Sequence, residues 1–304
     1  MATDFSKLAT KQTIVVITLI ALMTAAGCIA TDRSVKHANR PSTPIKLPEQ
    51  LNLPEAAKIQ LKAQGIDPQQ LQAIGQKIFQ NETGGKLENV IFWSKNESFP
   101  SLGVGHFIWF PAGRSLGFTE SFPDMIRFLQ ANGAAVPAWL LKQIQIGSIW
   151  NSREQLESER GSAKFLALQQ LLIDTSGLQV LYLFQRLDTA LPKMLRALAP
   201  SKRERIVNRF YAVRASAGGL YPLVDYVNFK GEGTVTSEKH NGVGWGLLHV
   251  LELMEPTPAG NAALKEFAVA ADLVLTRRVA NAPPERNEQR WLPGWRVRLK
   301  TYYQ

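Results

Sequence analysis

The chain has 304 residues, of which 45% are hydrophobic and 20% are charged, and this composition excludes disorder over most of its length. The length allows a sizeable core, in one large domain or in two smaller ones. The formal net charge of +10 favours a negatively charged partner, but it does not choose among nucleic acid, an anionic membrane and the acidic polymers of a cell envelope.

The first 28 residues have the pattern of a secretory signal. Lysines precede an apolar run at 13–27, and this run is shorter than the ~20 residues that a spanning helix needs. Cys28 follows as the only cysteine, and "AAGC" resembles the lipobox of bacterial lipoproteins, with Ala25 where leucine is usual. The resemblance implies a signal peptide at 1–27 and a lipid on Cys28. An uncleaved anchor with a chance cysteine is the alternative.

A lipoprotein signal implies export and attachment to the lipid bilayer through Cys28, which we expect at the periplasmic face of the outer membrane. There a basic protein meets peptidoglycan and anionic lipid, so nucleic acid is not expected as a partner. Residues 28–54 are polar and contain several prolines, and we predict a flexible tether. Because the chain has one cysteine and four histidines, we expect no disulfide, no metal site and no cofactor.

Helix signals dominate from residue 55 onward. Asp67 can cap a helix that has Pro68 in its first turn, and the glycines at 84–85 can end that helix. The segments 89–94 and 101–110 are rich in branched and aromatic residues, which is typical of strands. The sequence therefore predicts an α+β fold that is mostly α, with a small β region near its start. Further helices are predicted at 122–132, 153–173, 176–187, 201–216, 219–228, 243–254 and 260–280.

Glu82 is the first candidate for chemistry. It lies four residues after Ile78 and eleven after Leu71, so it continues the apolar face of the predicted helix at its C-terminal end. Burial and the negative end of the helix dipole both disfavour a charged carboxylate there. Such a carboxyl can retain the proton that a general acid needs near neutral pH. A solvated glutamate before a glycine stop is the alternative.

The stretch "NETGG…SLGVGHFIW" at 81–109 resembles the phage-type lysozyme family. In that family a helix ends in a catalytic glutamate, a β-hairpin follows, and a Thr-x-Gly-x-Gly-His run closes the cleft. The resemblance implies that Glu82 is the catalytic acid and that Ser101 stands where the family threonine holds the attacking water. It also implies that Gly103 and Gly105 bring the strand close to a sugar or to another backbone. His106 is expected to brace the site by hydrogen bonds.

The chain departs from the family pattern at the second carboxylate. The family aspartate, six residues before the threonine, corresponds to Lys95, and the spacing from Glu82 to Ser101 is longer than usual. Glu97, on a predicted turn four residues before Ser101, is the better replacement, and Glu88 is expected at the surface. The two-carboxylate mechanism therefore depends on Glu97.

Weaker similarities follow downstream. "LYPLVDYVNFKGEG" at 220–233 is similar to the family's helix-to-glycine stretch in its second lobe, and this similarity assigns Asn228 to the site. "LTRRV" at 275–279 is loosely similar to the family's closing Arg-Arg helix. Trp93 and Trp109 flank the proposed site and are predicted to be sugar platforms, with core packing as the alternative.

The sequence thus predicts a lysozyme-like, two-lobed domain at 55–304. As the resemblance implies, this domain cleaves the β-1,4 linkage of peptidoglycan with Glu82 as general acid. Wide spacing of the carboxyls would imply inversion. A lytic transglycosylase that uses Glu82 alone is one alternative. An envelope lipoprotein that binds glycan or a partner protein without cleaving is another.

Overall fold

The computed structural model describes residues 53–304 except 64 and 117, and all of these residues lie within one compact unit. The signal peptide, Cys28 and nearly all of the predicted tether lie outside the described residues. Leu53, at the end of that tether, is buried in the core next to the first helix. Helices make up 61% of the structure and strands 5%, which confirms a mostly α member of the α+β class.

Among the described residues, 12 α-helices carry most of the chain. Their bounds are α1 Glu55–Ala63, α2 Pro68–Thr83, α3 Phe122–Ala131, α4 Ala138–Gln143, α5 Arg153–Ser158, α6 Ala163–Asp174, α7 Ser176–Arg196, α8 Pro200–Arg214, α9 Leu220–Lys230, α10 Leu247–Leu253, α11 Asn261–Asn281 and α12 Leu292–Lys300.

Two small antiparallel sheets accompany the helices. In the first, β1 (Ile91–Phe92) pairs with β2 (Ser101–Leu102), and β2 pairs with β3 (Phe107–Ile108). In the second, β4 (Lys239–His240) pairs with β5 (Val243–Gly244). The first sheet follows α2 after one short 3-10 helix, Leu87–Val90, so it stands beside the end of the helix that carries Glu82.

The start and end of α2 follow the sequence signals. The Asp67 side chain accepts a hydrogen bond of 2.8 Å from the backbone N–H of Gln69. This N–H lies in the first helical turn and has no acceptor within the helix. Gly84 ends the helix in the left-handed conformation, with φ at 66°. This conformation costs glycine little, because glycine has no Cβ. The helix therefore stops at a defined residue and fixes the position of Glu82 in its last turn.

The core is built around α7 and α11. Helix α7 packs against α2, α3, α6, α8 and α9, while α11 packs against α8, α10 and α12. Both helices are long and carry many buried side chains, and Phe184 and Phe267 are among the largest that are fully buried. Since α2, α9 and α12 all pack against one of these two helices, the core sets their relative positions.

Four segments differ from the prediction. The predicted helix 153–173 is two helices, because Ser162 caps a new helix start by accepting from the N–H of Phe165. The segment 243–254 begins as strand β5 and becomes helical only at Leu247. Helices α4 and α12 were not predicted, since both are short. No helix of the described part combines the length and hydropathy needed to cross a bilayer.

Candidate active site

A cleft of about 740 Å³ lies between the first sheet, the ends of α2 and α9, and the segment 285–298. The lining is mixed, with carboxylates, cations and aromatic rings facing one space. Such a concave site with a few convergent polar groups is typical of a ligand-binding or catalytic cleft. Six of the residues predicted from the sequence line it: Glu82, Glu97, Ser101, Gly105, His106 and Asn228.

Glu82 is held through one of its two carboxylate oxygens. Its Oε1 accepts 2.7 Å from the Arg298 guanidinium and 3.2 Å from the Asn228 amide. The other oxygen, Oε2, lies 3.7 Å from Nδ1 of His106. The side chain is only 15% exposed. The carboxyl is therefore fixed in place, and Oε2 is the oxygen left to exchange a proton with a bound molecule.

Arg298 divides its charge between two carboxylates. It donates to both oxygens of Asp225, each at 2.7 Å, and to Glu82. Asp225 is fully buried and also accepts 2.6 Å from the hydroxyl of Tyr302 and 3.2 Å from the amide of Asn81. Burial opposes the charge on Arg298, but the attraction of Asp225 and Glu82 holds the pKa of Arg298 well above its usual value. This network ties α2, α9 and α12 together behind Glu82.

The histidine of the predicted run braces the cleft and faces Glu82. Nε2 of His106 lies 2.9 Å from the carbonyl oxygen of Asn89, and a carbonyl can only accept. Nε2 therefore carries the hydrogen in the neutral ring, and Nδ1 presents a lone pair toward Glu82. The ring also stacks on Phe92, at 6.2 Å between centroids and 7° between planes.

The two glycines of the run make room for protein side chains. A Cβ on Gly103 would overlap the amide oxygen of Gln179, which accepts from the N–H of Val104. A Cβ on Gly105 would stand 2.9 Å from the ring of Phe107. Gly105 lines the cleft, and its carbonyl accepts 3.0 Å from Asn228. Gly103 thus allows Gln179 of α7 to lie close to the backbone of the run. Of the two glycines, only Gly105 lines the cleft.

Glu97 and Ser101 come from the hairpin wall. Ser101 is buried at the start of β2, at the cleft margin. Glu97 lies on the turn before β2, where its carbonyl accepts 2.9 Å from the indole of Trp93. Its side chain keeps an exposed surface, yet the cleft walls remove part of its hydration. That desolvation, together with the charge of Glu82, raises the pKa of Glu97, while Lys230 opposes the rise.

The prediction that Trp93 and Trp109 are sugar platforms is wrong. Trp109 is fully buried against Phe122, with 4.6 Å between ring centroids, and Trp93 is 3% exposed. Neither ring offers a face to the cleft, so both have the core-packing role that was the alternative. Trp291 and Trp295 line the cleft instead.

The Arg-Arg pair of "LTRRV" does not contact Glu82. Arg278 donates 2.7 and 2.9 Å to the two oxygens of Glu288, which also lies 3.2 Å from His240. Burial alone would raise the pKa of Glu288, but the bonds and charge of Arg278 outweigh it and lower that pKa to about 2. The cation at Glu82 is Arg298, twenty residues further along the chain.

Arg298 and Asp225 are the site residues that sequence reasoning missed. One signal was available for Asp225, which stands within the apolar stretch "LYPLVDYV" and is therefore buried with its helix. A buried carboxylate requires a buried cation or hydrogen-bond donors. The sequence does not say which of the many arginines meets it, because that depends on how α12 returns to α9.

Comparisons with known proteins add no relative: no family model, no curated protein and no solved structure matches the chain.

Proposed function

We propose that the chain is an envelope glycosidase of the lysozyme-like kind, which cleaves β-1,4 linkages of peptidoglycan with Glu82 as general acid. One observation carries the proposal. Glu82 has one oxygen fixed by Arg298 and Asn228, while its other oxygen faces a cleft of about 740 Å³ that also contains Glu97, Ser101 and His106. The proposal includes a two-lobed, lysozyme-like arrangement of the domain at 55–304.

The chemistry follows from the geometry of that carboxyl. Protonated on Oε2, Glu82 can donate to the glycosidic oxygen as the bond to the anomeric carbon breaks. Arg298 and Asn228 keep Oε1 in position, so the acid does not lose its orientation when the proton leaves. After transfer, the same two donors stabilise the carboxylate that is formed.

The second group is proposed to be Glu97, with Ser101 holding the attacking water. Both line the cleft together with Glu82, and the charge of Glu82 acts on the pKa of Glu97, so the two carboxyls face the same space. An ionised Glu97 can take a proton from water as it attacks. His106 is proposed to brace the cleft wall beside Glu82 through its bond to the carbonyl of Asn89.

A lytic transglycosylase is the second candidate, and one observation favours it. Glu97 is the sole carboxylate that the hairpin brings to the cleft in the described residues, and it lies on an exposed turn, with Lys95 at the position of the family aspartate. In this reaction the 6-hydroxyl of the sugar attacks and Glu82 acts alone. The product is then an anhydro sugar.

The test is a digest of purified peptidoglycan with the full-length chain in detergent, read by mass spectrometry. Hydrolysis gives reducing ends that carry one added water, whereas transglycosylation gives anhydro ends that carry none. Glu97→Gln separates the two routes further, because a strong loss supports hydrolysis and near-wild-type activity supports the transglycosylase. If no glycan is cleaved between pH 4 and pH 8, the non-catalytic binding protein replaces both.

We also propose that the protein is exported and attached to the membrane by a lipid on Cys28, with the cleft facing peptidoglycan. The support is the signal-like N-terminus and the basic net charge of +10. Both fit a protein that works beside an acidic polymer.

A further inference from the structure

Cations and aromatic rings alternate along one wall of the cleft. Each cationic group lies over one or two ring faces, at distances of 3.8 to 5.3 Å from the ring centroids. This row, called the cation–aromatic ladder below, consists in order of Arg298, Phe229, Lys230, Trp295, Arg278 and Trp245. The first five line the cleft, and Trp245 is buried behind them.

The two outer cations of the ladder are neutralised within the protein. Arg298 bonds to Asp225 and Glu82, and Arg278 bonds to both oxygens of Glu288. The outer cations are therefore structural. Glu97, a carboxylate of the same cleft, acts on the central cation Lys230 through its charge, without an ion pair within 4.0 Å.

Lys230 is the central cation, and it lacks such a partner. Its ammonium lies 3.8 Å from the ring centroids of both Phe229 and Trp295, and it forms no hydrogen bond and no ion pair within 4.0 Å with any described residue. Burial lowers the pKa of Lys230 well below its usual value, with Arg278 and Arg298 adding to the effect. Lys230 therefore loses its proton more readily than an exposed lysine does, and an anion bound beside it would favour the charged ammonium again.

Lys230 lies beside the surfaces that a sugar ring would use. Trp295 and Trp291 line the same cleft and are only partly buried. Lys230 and Arg278 lie over the ring of Trp295, and Arg290 lies over that of Trp291. The ring surface left to a sugar is therefore the part that these cations do not cover. Aromatic faces bind the apolar faces of pyranoses, and a lysine ammonium binds a carboxylate as a point charge. A ligand that satisfies both features is a sugar that carries a carboxylate.

We infer that Lys230 is a specificity-determining residue that binds a carboxylate carried by the glycan substrate, while Trp295 and Trp291 contact its sugar rings. This inference rests on the proposed function, from which it takes the class of substrate, a glycan. It adds that the cleft selects a glycan that carries an acidic group. Two sources share this chemistry in peptidoglycan: the lactyl carboxylate of a muramic residue without its peptide, and the carboxylates of an attached peptide stem.

The experiment measures equilibrium binding by calorimetry with the full-length chain in detergent, in a Glu82→Gln background that prevents turnover. Three tetrasaccharides of equal ring number are compared. One is N-acetylchitotetraose, which has no carboxylate. The second alternates N-acetylglucosamine with N-acetylmuramic acid bearing free lactyl groups. The third is the same chain with peptide stems.

We expect the acidic tetrasaccharides to bind more tightly than the neutral one, and Lys230→Met to remove roughly 10- to 100-fold of that preference, which is the range for a hydrogen bond to a charged group. Lys230→Arg should keep much of the preference, because it restores a cation. Lys265→Met is the matched control, since Lys265 is exposed and lies outside the cleft, and it should bind as the background does. Melting temperatures show whether each variant is folded.

The inference is overturned if the Glu82→Gln protein binds neither acidic tetrasaccharide more tightly than the neutral one. It is also overturned if the folded Lys230→Met protein keeps the preference for the acidic tetrasaccharides. A Lys230-dependent gain with free lactyl groups assigns the lactyl carboxylate, and a gain only with stems assigns the peptide. Binding does not depend on cleavage, so the two proposals fail separately. A Lys230-dependent preference in a chain that cleaves nothing supports the inference and removes the enzymatic proposal.

Discussion

Glu82 and Glu97 illustrate how the environment of a single residue decides its chemistry. Arg298 and Asn228 donate to Glu82, while Glu97 lies on a turn where desolvation and the neighbouring charge of Glu82 raise its pKa. Two carboxyls in one cleft are thereby placed in different surroundings, and the charge of Glu82 acts on Glu97. The coupling between them can be measured without any assumption about substrate.

We predict that Glu82→Gln lowers the pKa of Glu97. The negative charge of Glu82 disfavours ionisation of Glu97, and glutamine removes that charge while keeping the size of the side chain. The measurement is an NMR titration of the Glu97 carboxyl in both proteins. Glu88→Gln is the control, because Glu88 pairs with Lys86 at the surface and should leave the titration unchanged. A Glu97 midpoint that stays put or moves to higher pH in Glu82→Gln would contradict the geometry.

At the scale of elements, the end of α2, the middle of α9 and the end of α12 meet behind the cleft. Asn81 of α2, Asp225 of α9, and Arg298 and Tyr302 in and just after α12 form one buried hydrogen-bond network. These helices lie far apart in sequence, so the network fixes a long-range arrangement. Because a buried charge without a partner is costly, the network requires all of its members.

We predict that Asp225→Asn destabilises the fold by on the order of 3 kcal/mol, because the buried guanidinium of Arg298 then has only Glu82 as a charged partner. Urea unfolding gives the value. Asp272→Asn is the matched control, since Asp272 pairs with the exposed Arg296 on the neighbouring faces of α11 and α12, and its loss should change stability little. Equal effects of the two substitutions would show that Asp225 has no special structural role.

Elements with strong local signals could be predicted from the sequence. The capped α2, its glycine stop and the strand-like stretches were predicted, because Asp67, Gly84 and the branched residues act over a few positions. The residues brought to the cleft from the far end of the chain could not. Arg298 meets Glu82 across 216 positions of sequence, and no local pattern encodes such a contact.

The tryptophans show how far the local sequence indicates the role of an aromatic residue. Trp109 stands in the apolar segment "FIWFP", which favours burial, whereas Trp295 lies between Gly294 and Arg296. Only the packing of β3 against α3 buries the first, and only the return of α12 brings the second to the cleft. Sequence composition thus identified that aromatic residues were available, and the tertiary contacts decided which of them line the site.

At the scale of the whole molecule, the proposal joins an N-terminal lipid anchor to a domain with a cleft. The anchor lies outside the described residues, so it rests on the sequence. We predict that Cys28→Ala abolishes labelling with a radioactive fatty acid and moves the protein out of the membrane fraction. Unchanged labelling and fractionation would contradict the anchor and leave the domain unaffected.

The most direct test of the central claim is cleavage of purified peptidoglycan by wild type and by Glu82→Gln. Glutamine keeps the size of Glu82 but cannot donate the proton, and general acid catalysis contributes roughly 10²–10⁴-fold, so we predict a loss of that size with an unchanged melting temperature. Glu285→Gln, which changes another carboxylate of the cleft wall, should stay near wild type. If folded Glu82→Gln cleaves as fast as wild type, Glu82 is not the general acid and the proposed mechanism is wrong.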